Sequence, residues 1–167
     1  PTQEEAPSVA DTCEVEGVQN LYRISPELYR SGQPTPQGFT NLQEMGIRTI
    51  LNMREYHKDE RKARHTNLKL LSYPVAAGEV KEEDVENCLR MMKSAPKPIV
   101  IHCWHGSDRT GIIVAGYRII YEGWSVAQAE AEFRMARYGH HDFWYGNLVV
   151  LLRSTDWAAM KARLEAE

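Results

Sequence analysis

Apolar residues in this chain recur at two spacings, and the two alternate along its length. Short runs at residues 21–24, 28–30, 48–52, 69–75 and 99–102 have the length and the β-branched or apolar composition of strands. Longer stretches with apolar positions three and four residues apart lie between and after them. Val85, Leu89 and Met92 mark such a face over residues 82–93. Residues 36–45 read as a helix from their ends: Thr35 is a favoured N-cap, Pro36 suits the first helical position, and Gly46 follows as a stop. The charged segment 58–65 is helical in composition, and helices dominate the C-terminal part, over 110–122, 125–137, 144–152 and 155–165. Strands alternating with helices predict a single α/β domain. Its sheet is central, mainly parallel and of four or five strands, with helices on both faces.

The first nineteen residues are mostly polar, with four Glu and two Pro, and lack either period. They are expected to form a flexible arm, leaving residues 20–167 as the domain. A length of 167 residues, with 43% hydrophobic and 26% charged residues, suffices for one well-filled core. The net charge of −3 supplies no basic field for nucleic acid or an anionic membrane. No apolar run is long enough to span a bilayer, and no repeat appears. The chain does not begin with Met. That fits a cytoplasmic protein whose sequence has been shortened, or a periplasmic or secreted one that has lost a signal peptide. Of the three cysteines, Cys88 sits on the apolar face of a helical pattern, as a small buried hydrophobe would. Cys13 lies in the arm, and a Cys13–Cys88 disulfide is open to it in an oxidising compartment.

One segment changes the picture from fold to chemistry. His102-Cys103-Trp104-His105-Gly106-Ser107-Asp108-Arg109-Thr110-Gly111 follows the apolar run 98–101 and leads into the apolar stretch 112–120. A cysteine thus stands where a strand ends, a tight loop turns and a helix begins. Loop amides and the first-turn N–H groups of the helix bind anions, and the helix dipole adds positive potential. Arg109 offers a planar fork that matches a phosphate with two parallel hydrogen bonds. The same field favours a reactive thiolate.

Cys103, five intervening residues, Arg109 and Thr110 resemble the signature loop of the cysteine-dependent protein tyrosine phosphatases. Upstream, Leu28-Tyr29-Arg30-Ser31-Gly32-Gln33-Pro34 and Gly46-Ile47-Arg48-Thr49-Ile50-Leu51-Asn52-Met53-Arg54 resemble the compact dual-specificity-type members, in particular their atypical plant, fungal and bacterial branch. The resemblance extends from about residue 20 to 152. It implies a phosphomonoesterase that forms a phosphocysteine on Cys103 and then hydrolyses it with water. It also implies a phosphate cradle from Trp104, His105, Gly106, Ser107, Asp108 and Arg109, with phosphate, sulfate or vanadate as oxyanion ligands. Gly106 would relax the loop backbone. Thr110 would hydrogen bond the departing sulfur, and His102 would prop the loop. No cofactor is implied. A metal cluster of His102, Cys103, His105, His140, His141 and Trp144 is not expected, because the Cys103–His105 spacing is unusual for zinc and a metal would quench the thiolate.

The chain departs from the superfamily at the general acid. Many members carry an aspartate roughly thirty residues before the cysteine. Residues 73–80 contain none, and Glu79 is the nearest carboxylate, with Asp84 at the start of the next helix. Asp108 inside the loop resembles the arrangement in myotubularins and some bacterial phosphatases, and is the favoured candidate. A structural role for it, pairing with Arg109 or favouring the helix start, remains open. Arg54 either adds charge near the pocket or forms a salt bridge. The stretch 138–144 either lines the pocket or is a surface loop. The resemblance implies a protein tyrosine or dual-specificity-type phosphatase acting on phosphotyrosine with broad specificity. The alternative is a phosphoinositide or another small anionic phosphate, a branch that often has lysines in the loop, where this loop has none. A phosphate-binding module without turnover and a sulfur-transfer protein are further alternatives; the Cys103–Arg109 pair argues against the first, and the Arg109-Thr110-Gly111 ending against the second.

Overall fold

The computed structural model describes residues 10–135 and 142–167, with the side chains of residues 142–145 left aside. Its elements, in order, are β1 (Asp11–Thr12), β2 (Tyr22–Ser25), β3 (Leu28–Ser31), α1 (Pro36–Glu44), β4 (Thr49–Asn52), β5 (Lys69–Ser72), a 3-10 turn (Ala77–Glu79), α2 (Glu82–Ser94), β6 (Ile99–His102), α3 (Asp108–Glu122), α4 (Val126–Phe133), α5 (Asp142–Ser154) and α6 (Trp157–Glu165). The six strands form one sheet in the order β1-β2-β3-β6-β4-β5. β3, β6, β4 and β5 run parallel, and β1 and β2 extend the sheet as antiparallel strands.

Alternation along the central strands divides the core. Ile50 and Val100 face one side with Phe39 and Leu42 of α1, while Leu51, Ile99 and Ile101 face the other with residues of α2 to α6. α3 sits in the middle of the second layer against α2, α4, α5 and α6, which is why its centre, Ile112, Ile113, Val114 and Ala115, is apolar and buried. Arg118 of α3 and Glu132 of α4 form a buried pair at 2.9 Å, so each charge has a partner where water cannot reach.

Three expectations need correction. The sheet has six strands, because Asp11 and Thr12, inside the expected arm, pair with Arg23 and Tyr22. Residues 10–19 therefore belong to the fold as far as they are described, and Ala10 is buried. The segment 58–65 is a series of turns and not a helix. Its side chains Asp59 and Ala63 are drawn into the interior, and that tertiary demand outweighs a weak local propensity. Thirdly, Cys13 packs with the α1 side of the core and Cys88 with the other, so the sheet separates them and both are free thiols. The ends of α1 match the expected chemistry: Thr35 Oγ1 accepts from Gly38 N at 3.0 Å, and Gly46 takes a φ of 102°. Among the described residues, no helix is long and apolar enough to cross a membrane.

Candidate active site

β6 is a central strand, paired on both sides, and delivers Cys103 to the carboxyl edge of the parallel sheet. Ligands of open α/β sheets gather at that edge. Cys103 is buried, as are Ser107 and Asp108, while Trp104 is 48% exposed at the rim. α3 starts at Asp108, so Asp108 and Arg109 are its first two residues. The helix dipole and its first-turn amides therefore open onto the loop.

The loop's shape is fixed from outside. Gln19 Nε2 donates to the Trp104 carbonyl at 3.2 Å, and the Gln33 amide donates to the same oxygen at 2.9 Å. Asn20 Nδ2 donates to the His105 carbonyl at 2.9 Å. The buried Arg30 donates through Nη2 to the carbonyls of Gly106 at 2.9 Å and Ser107 at 3.3 Å. In a trans peptide the carbonyl and the following N–H point in opposite directions. With the oxygens of residues 104–107 drawn outward, the amides of residues 105–108 turn to the inner side of the loop. Gly106 is required for the fit: its φ is 82°, and a Cβ there would lie 2.4 Å from the Ser31 carbonyl carbon. Only glycine permits both that dihedral and that approach to β3.

Below the loop, His102 Nε2 lies 2.5 Å from Asp59 Oδ2, with both side chains buried. The other ring nitrogen, Nδ1, lies 3.1 Å from the Cys103 carbonyl. Both ring nitrogens thus lie against oxygen atoms, which fixes the ring between Asp59 and the loop. Asp59 Oδ1 accepts from Gln33 Nε2 at 3.0 Å, and Gln33 Oε1 accepts from Arg54 Nη1 at 2.9 Å. The Arg54 guanidinium lies over the Trp104 ring, 4.2 Å from its centroid. Burial and the neighbouring Arg109 cation hold the Arg54 guanidinium below its ordinary basicity, against the opposing pull of Asp59 and Cys103. Arg54 therefore feels both Cys103 and Arg109.

Arg109 Nη1 donates to the Val75 carbonyl at 3.2 Å, which brings the segment after β5 against the signature loop. Asp84 straps that segment at both ends. Its Oδ1 accepts from the Tyr73 hydroxyl at 2.8 Å and its Oδ2 from the Lys81 amide at 2.8 Å. Asn147 of α5 donates to the Ala77 carbonyl at 3.2 Å. Glu79 is exposed on this segment, whereas Asp108 is buried in the first turn of α3. The Thr110 hydroxyl is buried and has no hydrogen-bond partner among the described residues.

The sequence-derived residues Cys103 to Thr110 and His102 thus meet at one edge of the sheet. Five contributors have little or no signal in the sequence. Gln19 falls in the expected arm, and Asn20 only marks the start of the expected domain. Gln33 lies in the upstream motif with no role assigned by it. Asp59 is hidden in the charged segment 58–65. Arg30 had only the motif around it as a signal. The stretch 138–144 falls on residues or side chains outside those described.

Known proteins share this arrangement of elements. Dual specificity protein phosphatase TpbA of Pseudomonas aeruginosa is 35% identical over 127 residues, 74% of this chain and 57% of TpbA. Inositol diphosphatase DSP5 of Arabidopsis thaliana is 27% identical over 124 residues, 69% of this chain and 60% of that protein. The chain thus spans less than two thirds of the length of these relatives. The crystal structure of a cysteine-to-serine variant of P. aeruginosa TpbA in complex with pTyr superposes with a TM-score of 0.86 and 27% identity, covering 98% of this chain and 99% of that one. The tyrosine phosphatase family model matches residues 18–143, from the first loop-supporting side chains to beyond α4. The chain belongs to the tyrosine phosphatase family.

Proposed function

We propose that this protein hydrolyses phosphomonoesters through a phosphocysteine on Cys103, as a protein tyrosine or dual-specificity-type phosphatase. The observation that carries the reading is the signature loop itself. Its carbonyls are tied outward by Gln19, Asn20, Arg30 and Gln33, its amides turn inward, and Cys103 and Arg109 stand at its two ends. In the first step the Cys103 sulfur attacks phosphorus. The S–P bond forms, the P–O ester bond breaks, and the leaving oxygen takes a proton from a carboxylic acid. In the second step water attacks phosphorus, the S–P bond breaks, and inorganic phosphate and the thiolate are released. The loop amides and Arg109 hold the equatorial oxygens throughout. The Thr110 hydroxyl, buried and without a hydrogen-bond partner among the described residues, would donate to the sulfur as it leaves.

Phosphotyrosine is the first substrate to test, in line with the pTyr complex of the TpbA variant. A small, multiply phosphorylated substrate is the second reading, favoured by the name of the plant relative and by a second guanidinium, Arg54, beside the loop. The wild type and the Cys103→Ser and Arg109→Lys variants should be screened on phosphotyrosine, phosphoserine and phosphoinositide substrates. Cys103→Ser is expected to reduce turnover to background while still binding vanadate. Arg109→Lys keeps the charge but loses the fork, and is expected to reduce turnover about 10²–10³-fold, as loss of an oxyanion donor does. Substantial turnover by Cys103→Ser would reject the mechanism, and a wild type that binds phosphate without hydrolysing any ester would make the protein a binding module.

A further inference from the structure

Arg54 is a cation without a matching anion. It is 9% exposed, close to Cys103 and Arg109, and held by Gln33 on one side and the Trp104 ring on the other. Among the described residues no carboxylate forms an ion pair with it. The nearby Asp59 is engaged elsewhere, with one oxygen on His102 and the other on Gln33. Arg54 Nε and Nη2 have no hydrogen-bond partner among the described residues. Arg118, by contrast, engages Nε, Nη1 and Nη2, on Glu122, Glu132 and the Ile24 carbonyl.

The backbone is shaped to keep Arg54 in this position. Asn52 Oδ1 accepts from the Arg54 amide at 2.8 Å, and Asn52 Nδ2 donates to the His57 carbonyl at 2.6 Å. These bonds pin both ends of a tight loop in which Tyr56 adopts a φ of 59°, a left-handed conformation costly for a bulky residue. Stacking on Trp104 leaves the edge of the guanidinium plane, where its N–H groups lie, available for an in-plane acceptor. One transferring phosphate needs one fork, and Arg109 in the loop provides it.

We propose that Arg54 and Trp104 form a second anion subsite, which binds an additional phosphate or carboxylate carried next to the phosphoryl group that is transferred. This rests on the phosphatase reading above for the identity of the first subsite. The second group could come from a small molecule with two neighbouring phosphates or from an acidic residue flanking phosphotyrosine in a peptide. Arg54 is then a specificity residue, acting on which phosphate esters are chosen.

The test measures preference. In a Cys103→Ser background, the affinities for inorganic diphosphate and inorganic phosphate are compared by calorimetry. Diphosphate should bind at least tenfold more tightly, and Arg54→Met should bring that ratio below threefold. Arg54→Lys, which keeps charge without the planar stack, should fall between. In the catalytically active background, kcat/KM is compared for phosphotyrosine peptides flanked by Glu or by Gln, with and without Arg54→Met. A response confined to the diphosphate arm assigns the subsite to small phosphates, and one confined to the peptide arm assigns it to flanking carboxylates. Equal losses on both members of each pair would overturn the proposal, placing Arg54 in service of Cys103 alone. A wild type that hydrolyses phenyl phosphate but shows no preference sinks the subsite and leaves the phosphatase reading standing. An inactive wild type whose serine variant still holds diphosphate through Arg54 does the reverse.

Discussion

At the scale of single residues, the site depends on side chains that act on the loop's backbone. Gln19, Asn20, Arg30 and Gln33 hold loop carbonyls, and each spares the loop from turning an oxygen toward an incoming anion. Asp59 is the most exposed to mutational test because its partner, His102, directly precedes Cys103 and both are buried. Replacing Asp59 by Asn removes the anion beside the ring and keeps the shape. Breaking a buried charged pair costs about 3–5 kcal/mol, so urea unfolding of Asp59→Asn should show a loss of that size. Vanadate affinity should weaken with it, since the ring also contacts the Cys103 carbonyl. A loss below about 1 kcal/mol, within the range of an ordinary hydrogen bond, would mean that the pair carries no charge.

At the scale of elements, the reaction is set by where two segments meet. α3 begins at Asp108, and the strapped segment 73–81 lies against Arg109 through Val75. The Tyr73 hydroxyl donates to Asp84, and burial above all raises its phenol above its ordinary range. Two carboxylates compete for the role of acid, Asp108 in the helix and Glu79 on the strap. If Asp108 is the acid, Asp108→Asn should slow phosphotyrosine by about 10²–10⁴, the usual span for general acid catalysis. It should slow an aryl phosphate with a very acidic leaving group much less, because that group departs without a proton. Glu79→Gln should slow both alike. The opposite pattern, with leaving-group dependence in Glu79→Gln, assigns the acid to the strap and leaves Asp108 as a favourable charge at a helix N-terminus.

At the scale of the whole molecule, the sheet separates two cores, and this decides the fate of the cysteines. Cys13 packs on the α1 side and Cys88 on the other, so neither disulfide geometry nor proximity is available to them. Burial also pushes the Cys88 thiol up, which keeps it protonated and unreactive. Melting temperatures measured with and without a strong reductant should therefore agree within about 1 °C, since loss of a native disulfide would cost 2–5 kcal/mol. A clear fall on reduction would show that the two faces exchange partners in solution.

The sequence by itself determined the parallel order of strand and helix, the start of α1 at Thr35 and Pro36, and the loop from Cys103 to Thr110. Those features are local: periodicity, capping and a strand-loop-helix junction are written in adjacent residues, and a cysteine at that junction has few other uses. Tertiary structure decided the rest because the contacts involved are far apart in sequence. A two-residue strand such as β1 has no signal until β2 offers its edge. Asp59 sits in a segment whose composition favours a solvated helix, and only the buried His102, forty-three positions away, draws it inward. Arg54 could have been a salt-bridged surface residue. The fold placed it on Trp104 beside Arg109, and whether a cation is neutralised depends on which carboxylates the chain brings within reach.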